Sequence, residues 1–252
     1  MRLEGKTAII TGATSGMGKA ISERFVKEGA SVILSGRDET RGNELAKSLL
    51  HQGGKAVFVK GDVAEARVNE NLVYAARHHF GKLDIVVTNA GKLGLGSVTD
   101  IDIQEWHETI NTNLSAVFYL SRFAIPEMQK QGKGVMVINS SIAAFKSFPN
   151  HAAYCASKAA LIALVKEMAL DYSPAIRVNA ICPGPVDTPL IWDSAKAFEN
   201  PETIVQQTAN HTLMKRLGKP ADIASLVLFL ASEEASWITG SAYTIDGGIL
   251  TK

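Results

Sequence analysis

Two side chains suited to proton transfer, Tyr154 and Lys158, stand four residues apart in the chain. On a helix this spacing puts them on one face, a single turn from each other. A tyrosine is a poor base near neutral pH because its free pKa is about 10. A fixed positive charge beside the phenol favours the phenolate and lowers that pKa. The pair therefore predicts an acid/base site, provided that the rest of the chain supplies something for it to act on.

The elements that must position this pair alternate between short apolar runs and longer helical patterns. Strands are predicted at 7–10, 31–35, 56–60, 85–88, 135–139, 177–181 and 242–245. Helices are predicted at 18–28, 39–52, 64–80, 103–131, 153–172 and 220–232. The strand candidates are apolar almost throughout, which is typical of strands buried on both faces. The order predicts an α/β fold, with a doubly wound parallel sheet of about seven strands and helices on both faces.

Length and composition favour one domain spanning 1–252, with 46% hydrophobic and 20% charged residues. The stretch 188–213 fits the alternation poorly, and we expect it to be a substrate lid over one sheet edge. A net charge of +1 argues against a nucleic-acid or membrane surface. Cys155 and Cys182 lie outside any CxxC pair, which argues against a metal site and favours a reducing, cytoplasmic location. No targeting or membrane-spanning segment is predicted.

A glycine-rich turn at 11–18 follows the first predicted strand and leads into the first helix. Its glycines let the backbone approach a ligand closely, and the helix N-terminus offers free N–H groups to an anion. This context is what a dinucleotide site requires, although the spacing is GxxxGxG and not the usual GxGxxG. A turn without a ligand is the alternative. The residues expected at a cofactor here are Gly12, Thr14, Ser15, Gly16, Met17 and Gly18.

Five motifs, in one order along nearly the whole chain, resemble those of the classical short-chain dehydrogenase/reductase family. They are the glycine turn, Asp62-Val63, Asn89-Ala90-Gly91, Ser141 with Tyr154 and Lys158, and Cys182-Pro183-Gly184. The spacing between Ser141 and Tyr154 also matches. The resemblance implies a Rossmann-type fold and a hydride transfer between NAD(P)(H) and a carbonyl or secondary alcohol substrate.

The same resemblance implies the role of each catalytic residue. Tyr154 would be the general acid/base and would also contact the cofactor, and Lys158 would hold the nicotinamide ribose and lower the tyrosine pKa. Ser141 would hydrogen-bond the substrate oxygen. Asn113 resembles the asparagine that supports a water-linked proton relay to the lysine. From the residues alone, the alternative is that Asn113 is a polar core residue of a long helix.

The remaining cofactor contacts come from three segments that follow predicted strands. Asp62 resembles the residue that contacts the adenine ring, with Val63 behind it. The second segment is Asn89-Ala90-Gly91. Its small residues leave room for the cofactor, and Asn89 resembles a residue that stabilises the central sheet. The third segment resembles the one that contacts the nicotinamide carboxamide, and it comprises Pro183, Gly184, Val186 and Thr188.

The end of the second predicted strand bears on the choice of cofactor. An NAD site usually places a carboxylate there for the ribose 2′-OH, whereas an arginine accommodates the 2′-phosphate of NADP. Here Ser35 or Gly36 takes the strand-end position, and Arg37 is well placed to bind a phosphate. NADP(H) is therefore favoured. NAD(H) stays possible because Asp38 could turn inward and because Ser15 stands where some NADP-using relatives carry a basic residue.

The expected lid carries Ile191, Trp192 and Phe198, which favour a partly apolar substrate if they are not simply core residues. The loop 92–96 is expected to form another wall. His151, three residues before Tyr154, lies either in the substrate pocket or in a surface loop.

Assembly is a further expectation from the resemblance. Similar proteins pair the two long helices, here 103–131 and 153–172, into a four-helix bundle, and a homotetramer is therefore expected. The second helix carries an apolar stripe that we interpret as wider than one sheet contact needs. Its members are Leu161, Leu164, Val165 and Met168.

Three alternatives to an NADP(H)-dependent oxidoreductase were weighed. One is an NAD-dependent alcohol dehydrogenase of the same family. A second, an epimerase or dehydratase, fits poorly with so short a chain. A third is a cofactor-binding regulator without turnover, which the fold alone would allow. The complete set of Asn113, Ser141, Tyr154 and Lys158 argues against that regulator.

Overall fold

Seven parallel strands form one sheet in the computed structural model, which describes residues 1–251. The strands are β1 (Thr7–Ile10), β2 (Ser31–Gly36), β3 (Lys55–Lys60), β4 (Ile85–Thr88), β5 (Gly134–Asn139), β6 (Ile176–Pro183) and β7 (Ala242–Ile245). Their spatial order is β3-β2-β1-β4-β5-β6-β7. The order reverses direction between β1 and β4, and a ligand crevice is expected where the strands diverge in this way. The predicted Rossmann-type, doubly wound α/β sheet is confirmed.

Helices cover both faces of this sheet. Between residues 1 and 251 they are α1 (Gly16–Lys27), α2 (Glu39–His51), α3 (Ala66–Phe80), α4 (Ile103–Ile110), α5 (Ala116–Lys130), α6 (Ala152–Tyr172), α7 (Pro189–Ala195), α8 (Pro201–His211) and α9 (Pro220–Ala231). Side chains of α1, α2 and α9 share one apolar cluster, and those of α3, α5 and α6 share the other. None of these helices combines the length and the apolar character needed to cross a membrane.

Because side chains alternate along a strand, one strand contributes residues to both apolar clusters. In β1, Ala8 and Ile10 belong to the cluster under α1 and α9, whereas Ile9 belongs to the opposite one. All three are fully buried. Because successive residues of a strand point to opposite faces, a continuous apolar run is what a sheet covered on both sides requires.

The predicted helix 103–131 is interrupted by a π-helical turn, Asn111–Ser115, between α4 and α5. The turn is only five residues long and lies between two ordinary α-helices, so the sequence did not reveal it. Single π-turns inside α-helices often occur at functional sites. This one contains Asn113.

The stripe on α6 packs against the sheet. Leu161, Val165 and Met168 are buried in the apolar core, and Leu164 is partly buried against it. The interpretation of this stripe as wider than a sheet contact needs is therefore wrong, and the stripe carries no argument for an interface.

The region 188–213 holds two helices, α7 and α8, that were not predicted individually. Each begins with a proline in its first turn, Pro189 and Pro201. Proline is favoured there because the first N–H of a helix has no partner inside the helix. Pro189 and Pro201, which suggested an irregular segment at the sheet edge, thus mark the beginnings of two helices.

Candidate active site

A cleft of about 790 Å³ opens at the carboxyl ends of the strands, within the usual range for small-ligand sites. It brings together nearly all the predicted site residues. Those on its wall are Gly12, Thr14, Ser15, Gly16, Met17, Arg37, Asp62, Val63, Asn89, Ala90, Gly91, Ser141, Tyr154, Lys158, Pro183, Gly184, Val186 and Thr188. Two predicted residues, Gly18 and Asn113, lie behind the wall.

The glycine turn packs so closely that side chains are excluded from it. Gly12 has a φ of +60°, and a Cβ atom there would lie 2.9 Å from the backbone of Ala90. A Cβ at Gly18 would lie 2.1 Å from the carbonyl oxygen of Gly12, so Gly18 serves packing and not ligand contact. Ser15 precedes α1 but its side chain makes no capping hydrogen bond. The first N–H groups of α1 therefore remain available to an anion, as a dinucleotide pyrophosphate requires.

Asn89 links the end of β4 to this turn. Its Nδ2 donates to the carbonyl oxygen of Gly12 at 3.1 Å, and its Oδ1 accepts from Asn139 Nδ2 at 3.0 Å. Thr11 Oγ1 accepts from the backbone N–H groups of Asn89 and Ala90. The expected role of Asn89 in stabilising the central sheet agrees with these contacts. Asn139 was missed by sequence reasoning, although it ends the strand just before the serine pair 140–141.

The two serines that follow β5 have different surroundings. Ser140 Oγ donates to the carbonyl oxygen of Lys158 at 2.8 Å, so it anchors α6 as a structural residue. Ser141 Oγ accepts from the N–H of Ala143 at 3.1 Å. Accepting this bond leaves the proton of the Ser141 hydroxyl free to donate into the cleft.

Lys158 is buried beneath Tyr154. Its Nζ donates to the carbonyl oxygen of Asn139 at 2.8 Å and lies 5.6 Å from the centre of the Tyr154 ring. Burial lowers the pKa of Lys158 to about 8 because the charged ammonium loses its hydration. Removal of water also raises the pKa of Tyr154 to about 12, although hydrogen bonding with Ser141 acts in the opposite direction. The pKa of Tyr154 is therefore raised overall, which is opposite to the direction expected from Lys158, and burial is the largest cause.

Asn113 is almost fully buried in the π-helical turn. Its Oδ1 accepts from the N–H of Lys92 at 2.8 Å, and its Nδ2 donates to the Lys92 carbonyl at 2.8 Å. The same Nδ2 also donates to Ser157 Oγ at 2.9 Å, and Ser157 in turn donates to the carbonyl oxygen of Tyr154. Asn113 thus joins the loop after β4 to the helix that carries the tyrosine.

At the other end of the cleft, Asp38 lines the wall and caps α2. Its carboxylate accepts from the backbone N–H and from the Nε of Arg41, and these bonds lower the pKa of Asp38. Arg37 is exposed, with NH1 3.9 Å from Asp62 Oδ2. Arg41 also lines the cleft and was missed, because its position three residues into a helix gave no signal of proximity to a cofactor.

The substrate end of the cleft is formed by the expected loop and by α7 and α8. Leu93, His151, Ile191 and Phe198 line it, so the pocket alternative for His151 is confirmed. Trp192 does not line the cleft. It is exposed, and its Nε1 donates to Asp187 Oδ1 at 3.2 Å. Its predicted place at the substrate is wrong because helical spacing turns it to the outside of α7. This end is completed by six residues that no sequence pattern had singled out, namely Ile142, Phe148, Ser194, Ile204, Val205 and Thr208.

Comparisons with known proteins agree with this geometry. Residues 12–250 match the family described as enoyl-(acyl carrier protein) reductase. An uncharacterized oxidoreductase of Thermotoga maritima is 39% identical, covering 98% of each chain. The NADP-dependent (R)-specific alcohol dehydrogenase of Lentilactobacillus kefiri is 39% identical, covering 98% of this chain and 97% of its own. The solved structure of a substituted actinorhodin polyketide ketoreductase with NADPH has a TM-score of 0.92 at 29% identity, with 97% of each chain covered.

These matches extend over almost the whole chain, and the relatives are named as oxidoreductases, alcohol dehydrogenases and ketoreductases. The chain therefore belongs to the short-chain dehydrogenase/reductase family and is an oxidoreductase acting on hydroxyl or carbonyl groups.

Proposed function

We propose that the protein is an NADP(H)-dependent oxidoreductase that interconverts a carbonyl compound and a secondary alcohol, with Tyr154 as the general acid/base. The observation that carries this proposal is the convergence of Ser141, Tyr154 and Lys158 on the cleft that the glycine turn enters. A binding protein without turnover has no need of two hydroxyl groups at one place beside a buried lysine.

The residues fit a dinucleotide. The glycine turn is a cradle in which a Cβ at Gly12 would collide with Ala90, and the N-terminus of α1 faces it uncapped. Gly91 leaves room in front of Lys158, since a Cβ there would meet only Asn113 Oδ1 at 3.5 Å and Lys158 Nζ at 3.8 Å. When bound, the nicotinamide supplies or accepts the hydride.

The residues of this chain would then handle the proton. In the reducing direction the Tyr154 hydroxyl donates to the carbonyl oxygen, and the Ser141 hydroxyl donates a hydrogen bond that stabilises the developing alkoxide charge. A raised pKa keeps the Tyr154 phenol protonated at neutral pH, ready for this step. Lys158, with a pKa of about 8, is close enough to neutrality to return a proton afterwards. Asn113 is proposed to support that return by holding the Lys92 loop and Ser157 in place.

The preference for NADP(H) is supported by the charges at the adenosine end. Asp38 is engaged by Arg41 as the cap of α2, so each of its carboxylate oxygens already accepts a hydrogen bond from the protein and is a poorer partner for a ribose 2′-OH. Arg37 and Arg41 supply two guanidinium groups on the same wall for a 2′-phosphate. The Lentilactobacillus relative is named NADP-dependent, and the ketoreductase structure was solved with NADPH. An NAD-dependent enzyme is the second candidate, favoured by the approach of Asp62 to Arg37, which partly neutralises it.

An absorbance screen at 340 nm tests the proposal, with NADPH and NADH each supplied against ketones, sugars, steroids and 3-oxoacyl thioesters. We expect oxidation of NADPH with at least one carbonyl class and a kcat/KM at least tenfold lower with NADH. Turnover with NADH alone would overturn the cofactor preference. Tight NADPH binding without turnover of any class would favour the non-catalytic regulator.

We also propose a cytoplasmic homotetramer. Both cysteines, Cys155 and Cys182, are free, as suits a reducing compartment. Phe118 on α5 and Leu170 on α6 are large apolar side chains left exposed on the two helices that similar proteins pair. Light scattering at micromolar concentration is expected to give four times the mass of the chain. A stable monomer would contradict this assembly.

A further inference from the structure

One histidine beside the catalytic tyrosine takes no part in the proton chemistry proposed above. His151 is 4% exposed, and its ring lies on the cleft wall, 6.3 Å from the centre of the Tyr154 ring. Its Nδ1 lies 2.6 Å from the carbonyl oxygen of Pro149, and its Nε2 lies 2.8 Å from Ser194 Oγ on α7. A carbonyl oxygen can only accept, so Nδ1 carries the proton of the neutral ring and Nε2 is an acceptor.

This tautomer determines what the pair offers to a ligand. The hydroxyl of Ser194 donates its single proton to His151 Nε2. Within residues 1–251, Ser194 Oγ has no other hydrogen-bond partner, so its lone pairs remain free. The His151–Ser194 pair therefore presents an acceptor oxygen to the cleft and has no proton left to donate.

The surrounding backbone fixes the pair in position. Gly96, in the loop after β4, donates from its N–H to the Asn150 carbonyl at 2.8 Å and forms an isolated bridge with His151. Through Ser194 the histidine also binds α7, so it joins three walls of the substrate end. A polar group held on every side in this way is preorganised to recognise a partner.

The rest of the substrate end is mostly apolar, with Thr208 as a further polar residue, and within residues 1–251 no lysine or arginine other than Lys158 lines it. Its apolar lining includes Leu93, Ile142, Phe148, Leu190, Ile191 and Phe198. Asp193, an ionised side chain on this part of the wall, is paired with Lys196 at 2.6 Å. Arg37 and Arg41 stand at the opposite, adenosine end. An anionic substrate would find no positive partner beside the lining, whereas an uncharged apolar one would be favoured.

We propose that the substrate is an uncharged, largely apolar ketone, or the matching secondary alcohol, that carries a second hydroxyl group. That hydroxyl donates a hydrogen bond to the His151–Ser194 pair while the reacting oxygen meets Ser141 and Tyr154. The inference rests on the proposed function and names its substrate class. A ketone or ether oxygen in place of the hydroxyl is only an acceptor and cannot hydrogen-bond to the acceptor oxygen of Ser194. The pair therefore selects a substrate with a hydrogen-bond donor at this position.

The test compares 4-hydroxycyclohexanone with cyclohexanone and 4-methoxycyclohexanone, and repeats the comparison on a decalone ring. Dissociation constants are measured by calorimetry on Tyr154→Phe with NADP⁺ bound, where no reaction interferes, and kcat/KM is measured on the unaltered protein with NADPH. We expect the hydroxyl compound to bind about tenfold more tightly than either analogue on at least one ring. Equal constants, equal binding of the methoxy compound, or no measurable binding on both rings would overturn the inference.

Two substitutions assign the preference to the pair. In the Tyr154→Phe background, Ser194→Ala and, separately, His151→Phe are expected to reduce the hydroxyl preference to less than threefold. Gln207→Ala, an exposed change on the neighbouring helix α8 that does not line the cleft, is expected to keep it. Ser194→Ala removes one oxygen from a partly exposed residue, so it remains informative if His151→Phe does not fold. A preference that survives Ser194→Ala and His151→Phe would overturn the assignment.

The outcomes also separate this inference from the proposed function. A hydroxyl preference in binding without any NADPH oxidation would contradict the proposed reaction and leave the recognition of a hydroxyl supported. Turnover of all the ketones at equal kcat/KM, with equal dissociation constants, would support the reaction and overturn the inference.

Discussion

The ammonium group of Lys158 lies 5.6 Å from the centre of the Tyr154 ring, one helical turn further along α6. Burial shifts the two pKa values in opposite directions, to about 12 for Tyr154 and about 8 for Lys158. The tyrosine therefore keeps its proton at neutral pH, and the lysine is the more acidic of the two. This order suits a site in which the tyrosine gives a proton to a substrate oxygen and the lysine helps to replace it.

Replacing Lys158 with methionine is expected to change how stability depends on pH. The pKa of Lys158 in the folded state lies below its unfolded value of about 10.5. The buried ammonium therefore lowers the free energy of unfolding, and this penalty is fully present below pH 8. This penalty disappears as the pH rises from about 8 to 10.5. From pH 7 to pH 9.5 the unaltered protein should gain about 2 kcal/mol of unfolding free energy relative to Lys158→Met. Urea unfolding at the two pH values measures the difference.

Lys166→Met is the matched control, because Lys166 is an exposed lysine on the same helix. It should follow the pH dependence of the unaltered protein. Parallel curves for Lys158→Met and the unaltered protein would show that Lys158 is not desolvated as the structure indicates.

Asn113→Ala should destabilise the fold by about 2–4 kcal/mol, because it removes three buried hydrogen bonds and leaves both Lys92 backbone groups without their partner. Chemical denaturation measures the loss. Asn111 stands in the same π-helical turn but is exposed. Asn111→Ala should therefore change stability by less than about 0.5 kcal/mol. Equal losses for the two variants would contradict a joining role for Asn113.

The structural features that the sequence predicts correctly are those that depend on residues close together in the chain. β1, β4 and β7 were predicted at the bounds found, because an apolar run between turn residues is a local signal. The π-helical turn was missed, since a single such turn is short and lies between two stretches of ordinary α-helix. Trp192 was assigned to the substrate from its residue type, whereas helical geometry turns it outward.

In the candidate site, too, local features were predicted and long-range contacts were not. The glycine turn and the Tyr154–Lys158 pair are local in sequence and were predicted. The contact between His151 and Ser194 joins residues 43 positions apart, and no spacing rule predicts it. The state of Asp38 also required the structure, because a carboxylate after a strand fits both a ribose contact and a helix cap.

Arg37→Ala is expected to raise the dissociation constant for NADPH by about 10- to 100-fold and to change that for NADH by less than threefold. The reason is the loss of a charge-assisted hydrogen bond to the 2′-phosphate, worth about 1.5–3 kcal/mol. Fluorescence titration measures both constants. Arg67→Ala, an exposed arginine on α3, should leave them unchanged. Equal weakening of the two cofactors would contradict a phosphate-specific role.

Alanine at two glycines should separate cofactor binding from folding. Gly91→Ala introduces a methyl group that meets the protein only at ordinary contact distances and projects into the cleft, so it should fold normally and bind NADPH at least tenfold more weakly. Gly12→Ala places a methyl group 2.9 Å from the Ala90 backbone at a φ of +60°, and should destabilise the fold by more than 1 kcal/mol. Thermal unfolding and NADPH titration check both. Unchanged NADPH affinity in Gly91→Ala would contradict the placement of the cofactor.

The Tyr154 hydroxyl is proposed to transfer the proton and to contribute little to the affinity for the cofactor. Tyr154→Phe keeps the ring and removes only the hydroxyl, so it separates proton transfer from cofactor binding. We expect kcat for NADPH-dependent ketone reduction to fall by about 10²–10⁴-fold while the dissociation constant for NADPH stays within threefold. Turnover within threefold of the unaltered protein would contradict the account.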